Sequence, residues 1–287
     1  MTLQQPNIHN IAIAVNAIAG SGRSLHTLAE IEKELKDRNI NYQVFQTPWP
    51  ANFNGFTSVW IIGGDGTMNH FINYFPEIQL PLAFFKGGSG NDFHYLLYGE
   101  KSTGEIIELA LLANPRKIDA GKCNDGYFIN GLGIGFDGSV AKSLQGKNKR
   151  LGKASFLTVI LSKIFFYRAK KYRIESDELK LERKLLMINV MNGQRAGGGF
   201  YVSPLAQYSD GRFDVNIVLE LHTLSRLRFL PVIEKGRHVD LSCIKYFHSS
   251  KIKIQSEEPM DIHLDGEYIC PTEVEIEMLP GKFLFYC

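Results

Sequence analysis

The chain has 287 residues, a formal net charge of +2 and 22% charged residues, which fits a folded globular protein and excludes a disordered or histone-like one. That length accommodates two ordinary domains or a single large one. Cys123, Cys243, Cys270 and Cys287 lie far apart with no CxxC pair, which argues against a zinc site and a disulfide framework and favours a reducing cytoplasm. Residues 1–10 lack the basic and apolar regions of a secretory signal, so no export is implied. The most apolar later run, residues 154–167, falls short of the roughly 20 residues that span a bilayer.

In chain order, residues 8–15 form a predominantly apolar run of strand length. The turn Gly20-Ser21-Gly22 follows, and Ser24 stands as N-cap of a helix that carries Leu25, Leu28, Ile31 and Leu35 at helical spacing. A second strand is expected over 42–46, before a proline-containing loop at 47–50. A third, over 59–62, runs into Gly63-Gly64-Asp65-Gly66-Thr67 and a short helix to Phe75. The pattern then repeats with a strand over 80–85, a loop over 86–90 and a helix from about Asn91. Strand, glycine loop and helix, repeated, predict a parallel α/β domain over residues 1–120.

From about residue 120 the pattern changes to short β-like runs at 127–130, 185–191, 213–219, 251–255 and 274–278, broken by Gly, Asn and Asp. These predict a mainly antiparallel β-sandwich or barrel over residues 121–287. One helical stretch interrupts it, with Leu157, Ile160, Leu161, Ile164 and Phe165 on one face.

The sharpest chemical signal is Gly63-Gly64-Asp65-Gly66-Thr67, between a buried-type strand and a helix. Glycines let the backbone approach an anion, and the free N–H groups and dipole at a helix start favour phosphate. A bare phosphate would repel Asp65, so a carboxylate there makes sense if Mg²⁺ lies between it and a nucleotide. Its bland role is to cap the helix. The second loop, Lys86-Gly87-Gly88-Ser89-Gly90-Asn91-Asp92, occupies the equivalent place after the next strand, and Ser89 and Asn91 add side-chain donors at the same sheet edge.

Gly63 to Thr67 resembles the GGDGT signature shared by diacylglycerol, sphingosine and ceramide kinases and by NAD kinases. Gly88-Ser89-Gly90-Asn91-Asp92-Phe93 is similar to the lipid-kinase GTGNDF element, and Asn130-Gly131-Leu132-Gly133-Ile134-Gly135-Phe136-Asp137 to its N-x-x-G-x-G-F-D stretch. Gly197-Gly198-Gly199, Pro204, Ala206, Asp210-Gly211 and Asp265-Gly266-Glu267 extend the resemblance to bacterial diacylglycerol kinases over nearly the whole chain.

The resemblance implies a Rossmann-like nucleotide domain followed by a β-sandwich that completes an active-site cleft. It implies ATP as phosphoryl donor and a lipid alcohol as acceptor. By the same resemblance ATP and Mg²⁺ are held by Asn16, Gly20, Thr47, Gly63, Gly64, Asp65, Gly66, Thr67, Asn69, Gly88, Ser89, Asn91 and Asp92. Gln207, Asp210 and Arg212 match a structural Mg²⁺ site in which backbone carbonyls can serve as ligands. Asp65, Asp265 and Glu267 are the implied catalytic acids, either of the last two serving as base. Three departures stand out: Asn16-Ala17-Ile18-Ala19-Gly20 in place of N-P-x-x-G, Lys86 in place of a common proline, and His70 where glutamate is frequent.

An NAD-kinase-like or sphingoid kinase activity and a non-catalytic lipid- or nucleotide-binding role are the rival readings. Gly133-Ile134-Gly135-Phe136-Asp137-Gly138 fits G-x-G-x-x-G, yet no acid lies between Asp137 and Glu175 to bind a ribose, so it reads as turn chemistry. His263 and Asp265, two apart on a strand, read as ordinary hydrogen-bonded residues. The basic residues Lys147, Lys149, Arg150, Lys170 and Lys171 flank the apolar helix and point to peripheral contact with an anionic membrane at its inner face. The expected partners are that membrane, a lipid substrate on it and a second copy of the chain in a homodimer. No motif supports nucleic acid.

Overall fold

The computed structural model describes residues 9–145 and 152–287. The chain divides into two compact units, Met1–Lys117 with Phe283–Cys287, and Ile118–Lys282.

In the first unit, β1 (Asn10–Val15), β2 (Asn41–Gln46), β3 (Ser58–Gly63) and β4 (Leu82–Lys86) form a parallel sheet in the order β2-β1-β3-β4. Around it lie α1 (Arg23–Asp37), α2 (Asp65–Tyr74), α3 (Asp92–Tyr98) and α4 (Thr103–Leu112). The near-continuous apolar runs of β1 and β3 are buried along their length, as strands covered on both faces must be, whereas β2 at the edge is half-exposed. Helix α1 buries Leu28, Ile31 and Leu35 and turns Leu25 outward.

Ser24 is not the N-cap expected of it. Gly22 holds that position in the left-handed region at φ 99°, and the Ser24 hydroxyl donates to the carbonyls of Asn16 (2.8 Å) and Ala19 (3.2 Å). It ties down the preceding loop rather than the helix start. The capping box of α4 escaped the pattern reading: Ser102 accepts from the Glu105 N–H and the Glu105 carboxylate accepts from the Ser102 N–H at 2.8 Å.

The second unit runs β5 (Arg116–Cys123), β6 (Gly126–Phe128), β7 (Gly131–Gly135), α5 (Phe136–Leu144), α6 (Gly152–Phe166), β8 (Lys170–Ser176), β9 (Lys180–Met191), β10 (Phe213–Leu219), α7 (Thr223–Glu234), β11 (Ile244–Ser249), β12 (Lys251–Gln255), β13 (Ile262–Leu264), β14 (Glu267–Ile269) and β15 (Glu273–Phe285). It is an antiparallel, sandwich-like fold organised on β9, whose first half pairs with β8 and whose second half pairs with β7 and β10. Its main core packs Phe128 and Phe213 with Ile188, Val190, Ile254 and Ile276. The stretch read as turn chemistry at Gly133 is instead the strand β7, leading directly into α5. β15 leaves this unit at its end, where Phe285 pairs with Leu82 of β4 and the Tyr286 N–H donates to the Leu82 carbonyl at 2.9 Å.

Helix α6 departs from its expected single apolar face. Ile160 and Ile164 are buried, while Leu157, Leu161, Phe165 and Phe166 are exposed. Lys147, Lys149 and Arg150 lie outside the described residues. Among the described residues no helix is long and apolar enough to cross a membrane.

One buried titratable group in the first unit sets a pH dependence. His94 of α3 lies 2% exposed between the rings of Phe84 and Tyr98, and burial, aided by the charge of Lys86, pushes its pKa down to about 4. The unfolded chain takes up this proton near pH 6.5, the folded chain only near 4, so stability falls as pH drops through that window. The expected loss is about 3 kcal/mol at most. Chemical denaturation of His94→Phe between pH 4 and 7 is expected to show a shallower pH slope than the parent; an unchanged slope would assign the acid sensitivity to other groups.

Candidate functional site

Three loops meet at the C-terminal ends of β1, β3 and β4. The first follows β1 through the 3₁₀ turn Ala19–Gly22, the second is Gly63 to Thr67, and the third is Gly87 to Asn91. The Gly87 N–H donates to the Gly63 carbonyl, and a Cβ on Gly88 would lie 2.4 Å from the Gly64 Cα, so only glycine lets these backbones approach so closely. A Cβ on Gly20 would strike the Gly87 carbonyl in the same way, at 1.9 Å.

Side chains lock the three loops. The Asn16 amide donates to the Thr67 hydroxyl at 3.0 Å, and the Asn91 side chain accepts from the Gly88 N–H and donates to the Gly88 carbonyl. Asp65 opens α2, but its carboxylate caps a different helix: it accepts from the N–H groups of Asp92 (3.0 Å) and Phe93 (3.1 Å) at the start of α3. Asn69 is buried on α2 and takes an Asn73 amide on its carbonyl. Arg23, which the motif reading did not single out, donates to the Ser89 hydroxyl at 3.3 Å from an exposed position. Thr47 is exposed just after β2, and the neighbouring Trp49 packs on the exposed ring of His70.

The second unit gathers its own cluster around the β13–β14 hairpin. Leu264 pairs with Glu267 across the two-residue turn Asp265-Gly266, both with positive φ (48° and 97°), the geometry for which Asp-Gly is suited. The Asp265 carboxylate accepts from the N–H groups of Ile129 (2.8 Å), Asn130 (3.0 Å) and Gly131 (2.8 Å). Its oxygens serve the main chain. Glu267, across the turn, is exposed. His263 pairs with Asp137 at 3.0 Å rather than with Asp265, and its other ring nitrogen accepts from the Gly266 N–H, so the proton sits on the nitrogen facing Asp137. Burial opposes the charged imidazole, but the Asp137 carboxylate outweighs it and raises the His263 pKa.

Two anchors were missed by the sequence reading. Asp119, 3% exposed, accepts from the N–H groups of Gly211 (2.8 Å) and Gly281 (2.7 Å), and Asn192 donates to the carbonyls of Asp119 and Ile129. A polar residue inside the otherwise buried stretch of β5 was the available signal. At the loop expected to hold a structural Mg²⁺, the Asp210 carboxylate pairs with the Arg212 guanidinium at 3.0 Å and Gln207 is exposed. These side chains suit an ion pair and not a divalent cation, which would have to rely on main-chain oxygens. Among the described residues no three His, Cys, Asp or Glu side chains converge as a metal cluster.

A family model described as "Diacylglycerol kinase catalytic domain" matches residues 10–123, and one described as "YegS C-terminal NAD kinase beta sandwich-like domain" matches residues 131–286. A protein of Chromohalobacter salexigens named "Probable lipid kinase YegS-like" is 28% identical over 80% of this chain and 76% of its own length. The diacylglycerol kinase of Bacillus subtilis strain 168 is 26% identical over 82% of this chain and 76% of its own. A crystal structure of a diacylglycerol kinase from Bacillus anthracis shares the fold, with a TM-score of 0.76 at 23% identity over 98% of both chains.

Because an amide accepts at only one of its two heavy atoms, Asp265→Asn cannot receive all three main-chain donors. A loss of about 2–3 kcal/mol of unfolding free energy is expected for it, against less than about 0.5 kcal/mol for Glu267→Gln. Urea titration of both variants tests this; equal stability would show that the hairpin does not depend on the carboxylate.

Proposed function

The chain belongs to the lipid kinase family in which a diacylglycerol kinase catalytic domain precedes a YegS-type β-sandwich, and on that premise we propose that it transfers the ATP γ-phosphoryl group to a diacylglycerol or related lipid alcohol. The observation that carries the ATP part of this reading is the contact of two glycine loops, Gly63–Thr67 and Gly87–Asn91, at adjacent strand ends. Main-chain N–H groups at the start of α2 then supply donors and a favourable dipole for phosphate, and the exposed guanidinium of Arg23 beside Ser89 adds a cation.

Asp65, at the start of α2 beside the glycine loops, would hold Mg²⁺ directly or through water. When bound, that ion neutralises phosphate charge. For the acceptor side we assign the base to Glu267, because Asp265 is committed to three amides. The lipid hydroxyl oxygen attacks the γ-phosphorus, the bond to the β–γ bridging oxygen breaks, ADP leaves, and the hydroxyl proton passes to Glu267.

Radiolabelled ATP offered with a panel of diacylglycerols, sphingoid bases and NAD is expected to label a lipid and leave NAD unlabelled. Asp65→Asn and Glu267→Gln are each expected to lower kcat by about a hundredfold or more, with Glu267→Gln leaving the KM for ATP unchanged. Label appearing in NAD alone, or full turnover in Glu267→Gln, would overturn the assignment.

The acceptor resides in a bilayer, and we place the membrane contact on the outer face of α6, where Leu157, Leu161, Phe165 and Phe166 are exposed. The basic residues contribute less than their number implies, since Lys170 lies 3.6 Å from Glu258 and Lys171 lies 2.5 Å from Glu182. Phe165→Glu with Phe166→Glu is therefore expected to abolish co-sedimentation with anionic vesicles even at low salt. Changing Lys147, Lys149, Arg150, Lys170 and Lys171 to Gln should remove only its salt-sensitive part. Retained binding of the double glutamate variant would reject this face.

A further inference from the structure

Two glycines of the β7–α5 stretch make room for β13. A Cβ on Gly138 would overlap the Asp261 carbonyl, so the first turn of α5 rests on the backbone that leads into β13. A Cβ on Gly133 would overlap both a carboxylate oxygen of Asp137 and Nε2 of His263, so the space over this point of β7 is filled by the Asp137–His263 pair. Gly133 is the seat of that pair. Gly135, at φ 87°, ends β7 and turns the chain so that Asp137 falls in the first turn of α5, where the helix dipole favours a carboxylate.

The two nitrogens of the buried His263 ring serve different elements. Nε2 donates to Asp137 at 3.0 Å, and Nδ1 accepts from the Gly266 N–H at 3.2 Å. Gly266 directly precedes Glu267 in the two-residue turn of the hairpin. The other side of that turn is tied to β7, where the Asp265 N–H donates to the Gly131 carbonyl at 2.9 Å and its carboxylate accepts from the Gly131 N–H. Glu267 thus stands on a turn held from two sides. The imidazole can reverse its role: a second proton, taken up at Nδ1, points an N–H at the Gly266 N–H. Burial disfavours that charged form, but Asp137 on α5 and Asp265 on the turn outweigh it and move proton uptake above the ordinary histidine range. Lys142 on α5 and Tyr268, opposite His263 on β14, are both engaged by Asp261, at 3.1 and 2.6 Å. β6 brings Tyr127 and no charge, and β7 no ionisable group.

We propose that His263 is a positioning residue for Glu267: its neutral ring holds the Gly266 peptide and with it the carboxylate of the next residue, and a proton taken up at Nδ1 breaks that hold and slackens the hairpin. The step moves one proton from solvent to Nδ1 and changes no other covalent bond. Turnover is then highest above the His263 titration and falls as pH drops through it, while the KM for ATP stays constant. The effect on turnover rests on the kinase reading with Glu267 as base; the linkage between ring and turn does not.

The test follows the full chain by two readouts. NMR of the isotope-labelled protein without substrate tracks the His263 ring nitrogens, assigned through bonds to the backbone, and the Gly266 amide between about pH 5.5 and 8.5. A protonated Nε2 and a bare Nδ1 are expected at high pH, with the Gly266 amide shifting at the same midpoint as the ring, above 6.5. Kinetics with MgATP and a short-chain diacylglycerol supply the second readout. The parent's kcat is expected to fall about tenfold on the acid side while the KM for ATP does not move. His263→Gln keeps a donor for Asp137 but no acceptor in the place of Nδ1, and is expected to lower kcat about tenfold at every pH. His263→Asn, whose Oδ1 stands where Nδ1 was, is expected to recover kcat to within about threefold of the parent and to lose the acid limb. A Gly266 amide indifferent to the ring titration, a proton on Nδ1 at high pH, or an unchanged acid limb in folded His263→Asn overturns the proposal. Thermal melting shows which variants are folded; if neither is, the parent's NMR titration decides. Ring and amide titrating together while no lipid is phosphorylated would sink the kinase reading and leave the linkage standing, and labelled lipid with an indifferent Gly266 amide would do the reverse.

Discussion

The glycine-loop end of the first unit depends on two backbones touching. Gly64 and Gly88 approach within a distance that no Cβ tolerates, and the arrangement of the strand ends follows from that approach. With the loops in contact, one carboxylate at the start of α2 reaches the amides at the start of α3. Two helix N-termini are thereby fixed against each other, and their dipoles converge on one edge of the sheet. A larger side chain at either glycine would separate the helices, and no rearrangement of side chains restores a backbone contact.

In the second unit the recurring device is an acid or amide that satisfies main-chain groups rather than a ligand. Asp265 gathers three N–H groups, Asp119 two, and Asn192 bridges two carbonyls. Irregular segments between short strands leave many polar backbone groups without ladder partners, and these side chains supply the missing ones. The result is a frame of loops that holds in place a hairpin of only two short strands.

Much of this was legible beforehand. The parallel α/β order follows from strands whose apolar runs are continuous because both faces are covered, and the loops declared themselves by glycines that have no role in strands or helices. Local patterns did not reveal which helix Asp65 caps, since the Asp92 N–H is distant in sequence and near only after β3 and β4 align. For the same reason local patterns did not reveal the main-chain role of Asp265, whose three amide donors lie more than 130 residues away. Helix α6 misled because residues facing a cavity and residues facing outward are both apolar, so periodicity could not separate them. α7 was hidden by a weak amphipathic signal and the Pro231 within it, and α5 by its shortness and the Gly138 near its start.

The path of β15 carries a consequence for how the protein is made. Its final residues lie on the β4 edge of the first unit, so that sheet edge stays open until synthesis has passed through the entire second unit. On the ribosome the first unit is therefore an early-emerging but late-completed structure, exposing an apolar parallel edge of the kind that pairs with foreign strands. A fragment cut at the unit boundary would carry the same open edge permanently. The first unit is thus completed only by the last residues of the chain, and the outer edge of β4 at Leu82 has no strand partner until Phe285 arrives.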